Sequence, residues 1–346
     1  MPQKQYLFIL GIVILLGIVI TAAILLHPVN EKKTVVVYTA VDQVYSEPVF
    51  HEFENRTGIH VLPVYDVEAA KTTGLVNRLI AEKSHPQADV FWNAEFSQTI
   101  FLKNENALAI YRSPSAGDIP AQYHDPDGYW TGFGGRARVF IINTDRMQTG
   151  SYPHSLFDML DSRYPGKSIG IAYPMFGTTA TQAAALYSVL GPKKARLFFS
   201  NLSEKGVRVV DGNSVVRDLV AAGQLDFGLT DTDDACTAIQ NGEHVTLVVL
   251  DQKEGEIGTL VIPNSVALIA GAPHPDEGMV LIDYLLDRNT ENDLVKSGWI
   301  QVACRDVPAH SPCLNRSAIR AMAINYQDVY TGLQMTKKDL TEIFVR

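Results

Sequence analysis

The fold of this chain is decided at Leu225-Asp226-Phe227-Gly228-Leu229-Thr230-Asp231-Thr232-Asp233-Asp234-Ala235. An apolar run carries the backbone to a predicted sheet edge, and three carboxylates follow at a predicted helix start. One explanation is that Asp231, Asp233 and Asp234 only cap that helix, since acidic side chains are favoured at helix N-termini. Three acids this close repel one another, so we expect at least one to reach a ligand cleft and meet a cation.

The composition limits the class of protein. The chain has 346 residues, of which 46% are hydrophobic and 19% are charged, and its net charge is −9. These values are ordinary for a soluble globular protein that is long enough for two domains. The acidic balance argues against a nucleic-acid partner, because a phosphate backbone needs a basic face.

Residues 6–26 carry no charge and are nearly all apolar. A run of this length is long enough to cross a bilayer, and Lys4 precedes it as in a signal sequence. No clean Ala-x-Ala site follows Leu26, so the sequence favours an uncleaved anchor with the later residues outside the cytoplasm. A cleaved signal peptide is the alternative.

The cysteines are Cys236, Cys304 and Cys313. Cys304 and Cys313 lie close in sequence and would be able to pair in an oxidising compartment, which would leave Cys236 free. Two buried thiols explain them nearly as well, so the sequence leaves the pairing open.

The first part of the chain alternates strands and helices. Strands are predicted at residues 34–40, 59–65 and 88–92, with a helix capped by Ser46 and a second helix at residues 71–83 between them. This order predicts a parallel sheet with right-handed crossovers. Ligands bind beyond the carboxyl ends of such strands, which indicates the segments 39–45 and 93–95.

A second α/β unit begins with a strand at residues 168–172 and is closed by the stretch 225–235, after which another strand is predicted at residues 245–250. Its loop Gly177-Thr178-Thr179 precedes a helix and offers N–H groups and hydroxyls to an anion, although a plain helix cap is the alternative. The glycine-rich segment 132–138 and the apolar segment 258–269 are predicted to join the two units and to act as a hinge.

The sequence carries little support for an enzyme. Asp226-Phe227-Gly228 matches the kinase metal tripeptide, but the other kinase motifs do not accompany it. The acids after Thr230 lack the glycine and the glutamate of a calcium loop. There is no Gly-x-Ser-x-Gly elbow, no His-Glu-x-x-His and no Walker loop.

Several stretches in order resemble the extracellular solute-binding proteins of ABC importers, and specifically their ferric-iron-binding periplasmic branch. These stretches are Val37-Tyr38-Thr39-Ala40, Phe53-Glu54-Asn55-Arg56-Thr57-Gly58-Ile59, Ala88-Asp89-Val90-Phe91-Trp92, Gly177-Thr178-Thr179 and residues 258–269. The resemblance covers residues 34–296 and implies a protein that is not an enzyme. It also implies a type II periplasmic-binding fold, in which two α/β lobes, each a mostly parallel sheet flanked by helices, enclose a ligand cleft.

On that fold the domain boundaries are as follows. Residues 1–30 form a signal sequence or membrane anchor, residues 31–133 the first part of lobe 1, residues 134–261 lobe 2, and residues 262–346 return to lobe 1 and add C-terminal helices.

The resemblance also assigns ligand-binding residues. Family members often place a histidine or tyrosine after the first strand, where this chain has Asp42, Gln43 and Tyr45. Glu95 falls within one residue of a common glutamate ligand. The adjacent tyrosine pair that grips iron should fall at Asp233-Asp234, so both tyrosines are missing here.

The loop for a synergistic anion looks like Gly177-Thr178-Thr179, with Asn213 at a second anion contact. An oxygen-rich site for a hard cation would be formed by Asp42, Glu95, Asp231, Asp233 and Asp234, with Glu95, Asp233 and Asp234 as metal ligands. The same acids would equally hold an organic ammonium through charge-assisted hydrogen bonds.

The function implied is capture of ferric iron, or of another hard cation, as cargo for a membrane permease and its ATPase. The alternative is the same fold binding a small organic cation or zwitterion, such as an aminophosphonate or thiamine. We expect a monomer with no resident cofactor, tethered to the extracytoplasmic face of the inner membrane by residues 6–26.

Overall fold

The computed structural model describes residues 33–66, 73–175, 177–314 and 319–344. The predicted anchor at residues 6–26 lies outside these ranges. Among the helices that are described, none has both the length and the apolar character that a bilayer span requires.

The described residues alternate between strands and helices. The strands are β1 (Thr34–Thr39), β2 (His60–Tyr65), β3 (Val90–Asn93), β4 (Leu108–Ala109), β5 (Thr131–Asn143), β6 (Ile169–Ala172), β7 (Arg208–Val210), β8 (Phe227–Asp231), β9 (Val245–Val249) and β10 (Val261–Ile269). The helices are α1 (Gln43–Thr57), α2 (Thr73–Ala81), α3 (Ser97–Asn104), α4 (Gly177–Leu190), α5 (Pro192–Lys205), α6 (Asn213–Ala221), α7 (Thr232–Gln240), α8 (Pro275–Leu285), α9 (Arg288–Lys296) and α10 (Tyr326–Phe344).

The strands form a mixed sheet in the order β2-β1-β3-β10-β5-β8-β6-β7, with β4 paired to β10 and β9 paired to β5. The outer pairs are parallel, as the alternation of strands and helices predicts. The two central strands, β5 and β10, run antiparallel to each other and to their other partners.

Strand β5 is shared between two groups of strands. Its residues 131–137 pair with β10, and its residues 138–143 pair with β8 and β9. We call the group around β1, β2 and β3 the first lobe and the group around β6, β7 and β8 the second lobe. The lobe boundaries at residues 133/134 and 261/262 stay predictions, and the predicted hinge segments lie on the paired strands β5 and β10.

The core explains the apolar strands. Val35, Val37 and Tyr38 of β1 and residues 139–142 of β5 are fully buried. Strands that are covered on both faces by helices read as nearly continuous apolar runs, so burial accounts for the lack of alternation in these segments.

Helix α1 begins earlier than predicted. Its N-cap is Asp42 and not Ser46, which lies buried in the first turn and donates its hydroxyl to the Asp42 carbonyl at 3.2 Å. The backbone N–H of Ser46 donates to the same carbonyl at 3.1 Å, so the first turn is closed before Pro48. The expected cap at Ser46 is therefore wrong, and Tyr45 belongs to the first turn of the helix.

The cysteines also differ from the pairing that the sequence suggests. Cys236 on α7 forms a disulfide with Cys313, and their Cα atoms lie 5.4 Å apart. Cys304 is a buried free thiol, and burial raises its pKa. The pairing of Cys304 with Cys313 is therefore wrong, because distance in space and not in sequence decides which cysteines can join.

Candidate functional site

A cavity of about 430 Å³ lies between the two lobes. The first lobe contributes Asp42, Tyr45 and Glu95, while α7 of the second lobe contributes Asp233 and Asp234. The central strands and the segment after α9 complete its wall with residues that include Gly135, Arg136, Asn264, Trp299 and Gln301. The cavity is thus lined from both sides of the strand that the lobes share.

Asp42 and Glu95 follow the carboxyl ends of β1 and β3, where the parallel order predicts ligand contacts. The Glu95 carboxylate also accepts hydrogen bonds from Asn93 Nδ2 at 2.9 Å and from the backbone N–H groups of Ser97 and Gln98 at 2.5 and 2.9 Å. A carboxylate has about four acceptor positions, so Glu95 has little capacity left for a ligand in this conformation.

The acids of the second lobe converge. One carboxylate oxygen from each of Asp231, Asp233 and Asp234 lies within 4.8 Å of the others. Burial, followed by the charges of Asp233 and Asp231, raises the pKa of Asp234 to about 7. Asp233 Oδ1 is buried and accepts no hydrogen bond from any described residue. These oxygens form a set of the hard donors that hard cations prefer.

Arg136 on β5 is the one cationic side chain among the described residues that line the cavity. Its Nη1 donates to Asp233 Oδ2 at 3.1 Å and its Nη2 donates to the Ala94 carbonyl at 3.0 Å, so it reaches both lobes. Burial alone would lower the pKa of Arg136, but the charges of Asp233 and Asp231 outweigh it and raise the pKa.

Asp231 has a different environment from the other two acids. It occupies the N-cap position of α7, yet its side chain accepts no hydrogen bond from that helix. Its Oδ1 accepts from Nη1 of the fully buried Arg138 at 2.8 Å. Its Oδ2 accepts from the Thr178 hydroxyl at 2.6 Å and from Asn213 Nδ2 at 2.9 Å. The carboxylate therefore faces the protein interior.

The loop predicted to bind an anion is engaged in the same network. Arg138 donates to the Thr178 hydroxyl at 3.0 Å, to Asn213 Oδ1 at 3.1 Å and to the Thr179 hydroxyl at 3.3 Å. Asn213 Nδ2 donates to the Thr178 hydroxyl at 2.7 Å, and the Thr179 hydroxyl donates to Asn213 Oδ1 at 3.3 Å. Gly177 begins α4 with a φ of 56°. The donors expected to hold an external anion thus surround a carboxylate that belongs to the chain.

The remaining predicted residues are placed as follows. Tyr45 lines the cavity, and its ring centroid lies 6.1 Å from that of Trp299. Gln43 is exposed on α1 and donates to Glu47 Oε2 at 3.1 Å, away from the described lining. The structure therefore brings together at one cavity Asp42, Tyr45, Glu95, Asp233 and Asp234. The described residues that line this cavity do not include Gln43, Gly177, Thr178, Thr179, Asn213 or Asp231.

Sequence reasoning missed Arg136 and Trp299. A signal for Arg136 exists, because two arginines stand two residues apart in an otherwise apolar strand and so share one face of it. Trp299 follows α9, and no local pattern places that segment against the first lobe. Its ring packs edge-on against Trp92 with centroids 5.5 Å apart.

Known proteins resemble this chain in sequence and structure. An Fe(3+)-binding periplasmic protein of Serratia marcescens is 24% identical over 285 residues, which cover 81% of each chain. A putative 2-aminoethylphosphonate-binding periplasmic protein of Salmonella typhimurium is 25% identical over 263 residues, 75% of this chain and 74% of the relative. The open form of Mannheimia haemolytica ferric iron-binding protein A aligns with a TM-score of 0.79 at 20% identity, over 90% of this chain and 98% of that one.

The structural likeness confirms the predicted two-lobed α/β fold. A family model described as bacterial extracellular solute-binding protein matches residues 86–319, which is more than half of the chain. The chain therefore belongs to the family of bacterial extracellular solute-binding proteins, as the resemblance in its sequence predicts.

Proposed function

We propose that this chain is the solute-binding component of an ABC importer and that it captures a hard cation, with ferric iron as its cargo. The observation that carries the proposal is the convergence of one carboxylate oxygen from each of Asp231, Asp233 and Asp234 within 4.8 Å. Asp233 and Asp234 line the interlobe cavity, whereas Asp231 is not among its described lining residues. Carboxylate oxygens are hard ligands that suit highly charged cations. The relative described as Fe(3+)-binding supports the choice of iron.

Capture would couple the two lobes. Asp233 and Asp234 come from the second lobe, whereas Asp42 and Glu95 come from the first. Glu95 would take part only after giving up one of its present hydrogen bonds. A cation held by acids of both lobes would favour the conformation in which the lobes are closest, so binding selects a closed state. The permease and its ATPase would then receive the cargo from that closed form.

The test is a titration of iron binding in variants of the acids. The double substitution Asp233→Asn and Asp234→Asn keeps side-chain volume but removes both charges, so ferric-iron affinity, measured by competition with a chelator, should fall by at least about a hundredfold. The matched control is Asp226→Asn, which also removes a carboxylate. Asp226 pairs with Arg146, and neither residue is among the described residues that line the cavity. Unchanged iron affinity in the double variant would refute the site.

A second candidate function is binding of a small organic cation or zwitterion. The aromatic rings of Tyr45 and Trp299 favour it, because they stand 6.1 Å apart on the wall that also carries the acids. An ammonium group is attracted to aromatic faces as well as to carboxylates. A relative described as putatively 2-aminoethylphosphonate-binding points the same way. Competition between iron and an aminophosphonate for one site would separate the two candidates.

We also propose that the protein acts outside the cytoplasm. The Cys236–Cys313 disulfide supports it, because such bonds persist in oxidising compartments. We also propose that residues 6–26 tether the chain to the membrane. Cell fractionation of the full chain tests both statements, and recovery of the protein from the membrane-free periplasmic fraction would contradict the tether.

A further inference from the structure

The segment after α9 is attached to the first lobe. We call residues 297–314 the return segment. Its Trp299 packs edge-on against Trp92 of β3, with ring centroids 5.5 Å apart. Its Arg305, almost fully buried, donates from Nε to Oε2 of the fully buried Glu291 on α9 at 2.6 Å. A buried ion pair and an aromatic contact therefore hold this segment in place.

Helices α8 and α9 carry the return segment on the first lobe. Tyr284 of α8 packs against Phe53 of α1, with ring centroids 5.4 Å apart. Asn292 of α9 accepts a hydrogen bond through Oδ1 from the backbone N–H of Ala309 at 2.9 Å. Ala309 lies only four residues before Cys313. The return segment should therefore move with the first lobe.

Helix α7 belongs to the second lobe and begins at the strand that the lobes share. It follows β8 directly, and the hydroxyl of its first residue, Thr232, accepts a hydrogen bond from the Ala137 N–H at 3.1 Å. Ala137 is the last residue of β5 that pairs with β10, and Arg138 is the first that pairs with β8. The start of α7 therefore lies where the lobes meet, and the rest of the helix moves with the second lobe.

The Cys236–Cys313 disulfide joins these two elements. Cys236 lies on α7, four residues after Thr232, and lines the cavity. Cys313 belongs to the return segment and is not among the described residues that line the cavity. The lobes are thus linked covalently beside the cavity as well as through the shared strand β5.

Such a link restricts rotation of one lobe against the other. The Cα atoms of the two cysteines lie 5.4 Å apart, and disulfides usually span at most about 6.8 Å between Cα atoms. Four residues of helix place Cys236 about 6 Å from the start of α7. A rotation about that start that separates the cysteines would therefore exhaust the tolerance of the bond after about 15°.

We propose that the Cys236–Cys313 disulfide limits how far the cavity opens, and that its reduction lets the lobes separate further. A dithiol supplies the two electrons: the S–S bond breaks, both cysteines become thiols, and the dithiol becomes a disulfide. A ligand held by acids of both lobes then leaves faster. This inference deepens the proposed function as the regulation of the same site. Its statement on release rests on that function, whereas the limit on lobe motion does not.

The first experiment measures the distance between the lobes without any ligand. Spin labels are attached through thioether bonds at Ile110→Cys on the first lobe and Leu197→Cys on the second, because these side chains are 60% and 59% exposed. The full chain carries Cys304→Ala, which removes the free thiol and keeps the disulfide. Adding C236A/C313A should broaden the distance distribution toward values several ångströms longer.

Reduction gives an independent measurement that needs no change at the two cysteines of the bond. A dithiol should broaden the distribution of the labelled chain that keeps the disulfide, and reoxidation should restore it. The same dithiol should leave labelled C236A/C313A unchanged. Equal distributions with and without the bond would overturn the inference.

The second experiment measures release. Ferric iron is loaded on the full chain, and its transfer to an excess of a competing chelator is followed in time. C236A and C313A should each release iron at least about tenfold faster than the unaltered protein, although only Cys236 lines the cavity. C304A is the matched control, because it removes a sulfur but keeps the bond.

The outcomes separate the two proposals. Faster release in C236A alone would assign the effect to the cavity wall and overturn the role of the link in release. If no iron binds to any of these proteins while the interlobe distances lengthen as expected, the iron proposal fails and the limit on lobe opening stands.

Discussion

The substitution Arg138→Met gives the sharpest test of the network behind the cavity. The guanidinium of Arg138 is fully buried and donates to Asp231 at 2.8 Å, to Thr178 at 3.0 Å, to Asn213 at 3.1 Å and to Thr179 at 3.3 Å. Methionine retains much of the side-chain volume but removes the charge and every donor. The Asp231 carboxylate, only 3% exposed, then loses its ionic partner.

The expected cost follows from that burial. Removing one partner of a buried ion pair costs about 3–5 kcal/mol, because the other charge stays in a poorly solvated position. Asp231 would keep hydrogen bonds from Thr178 at 2.6 Å and from Asn213 at 2.9 Å. These remaining donors place the expected loss in the free energy of unfolding near the lower end, at about 3 kcal/mol.

Equilibrium denaturation with urea measures this loss. The matched control is Arg146→Met, because Arg146 pairs with Asp226 at 2.5 Å but its side chain is 46% exposed. An exposed pair contributes about 0–1 kcal/mol, so this control should remain close to the unaltered protein. The double variant R138M/D231N should recover part of the loss, since it no longer buries a single charge. If R138M is no less stable than R146M, the network does not hold the second lobe together.

Three further predictions concern stability. Replacing Cys236 and Cys313 by serine removes a link across 77 positions and should lower the free energy of unfolding by about 4.5 kcal/mol in a chain-entropy treatment; a reductant should destabilise the unaltered protein but not this variant. Burial raises the pKa of Asp234 from 3.8 to about 7 in the folded protein. Between these two pH values the folded state therefore binds more protons than the unfolded chain. The free energy of unfolding should therefore fall as the pH rises through this range, by at most about 1.4 kcal/mol per pH unit. In denaturation experiments, D234N should show a flatter dependence of stability on pH. Gly134 has a φ of 41° and its added Cβ would overlap a packed side chain, so Gly134→Ala should cost about 1–3 kcal/mol in thermal unfolding, whereas Gly150→Ala, with open space around it, should change stability by less than about 0.5 kcal/mol.

Asp42 and Glu95 illustrate what local pattern and topology rules can predict. Each follows an apolar strand that a helix succeeds, and parallel strands joined in this way end at one edge of the sheet. Both residues therefore reach the same cavity although 53 positions separate them. The same alternation predicts the parallel pairing of the outer strands, which the structure confirms. The two-lobed fold is what the family resemblance implies, and the structural likeness confirms it.

Asp231 and Arg136 illustrate what those rules cannot predict. Asp231 ends β8, whereas Asp233 and Asp234 belong to the first turn of α7, so the change from strand to helix turns their side chains in different directions. The partner of Asp231 is Arg138, 93 positions earlier in the chain, and no local pattern joins them. Arg136 reaches the cavity because β5 runs through both lobes, which depends on long-range pairing. The disulfide partner of Cys236 is Cys313, 77 positions away, and no local sequence pattern predicts this long-range pairing either.

The disulfide has a consequence for how the ligand of this protein is measured. Cys236 lines the cavity one helical turn after Asp233, and its sulfur is engaged with Cys313. In a chain produced where thiols stay reduced, that sulfur would become a soft donor beside hard carboxylate oxygens. Thiolates select zinc and copper(I) over the cations that carboxylates prefer. The oxidation state of one bond would thus change the apparent metal preference of the cavity without any substitution in the sequence.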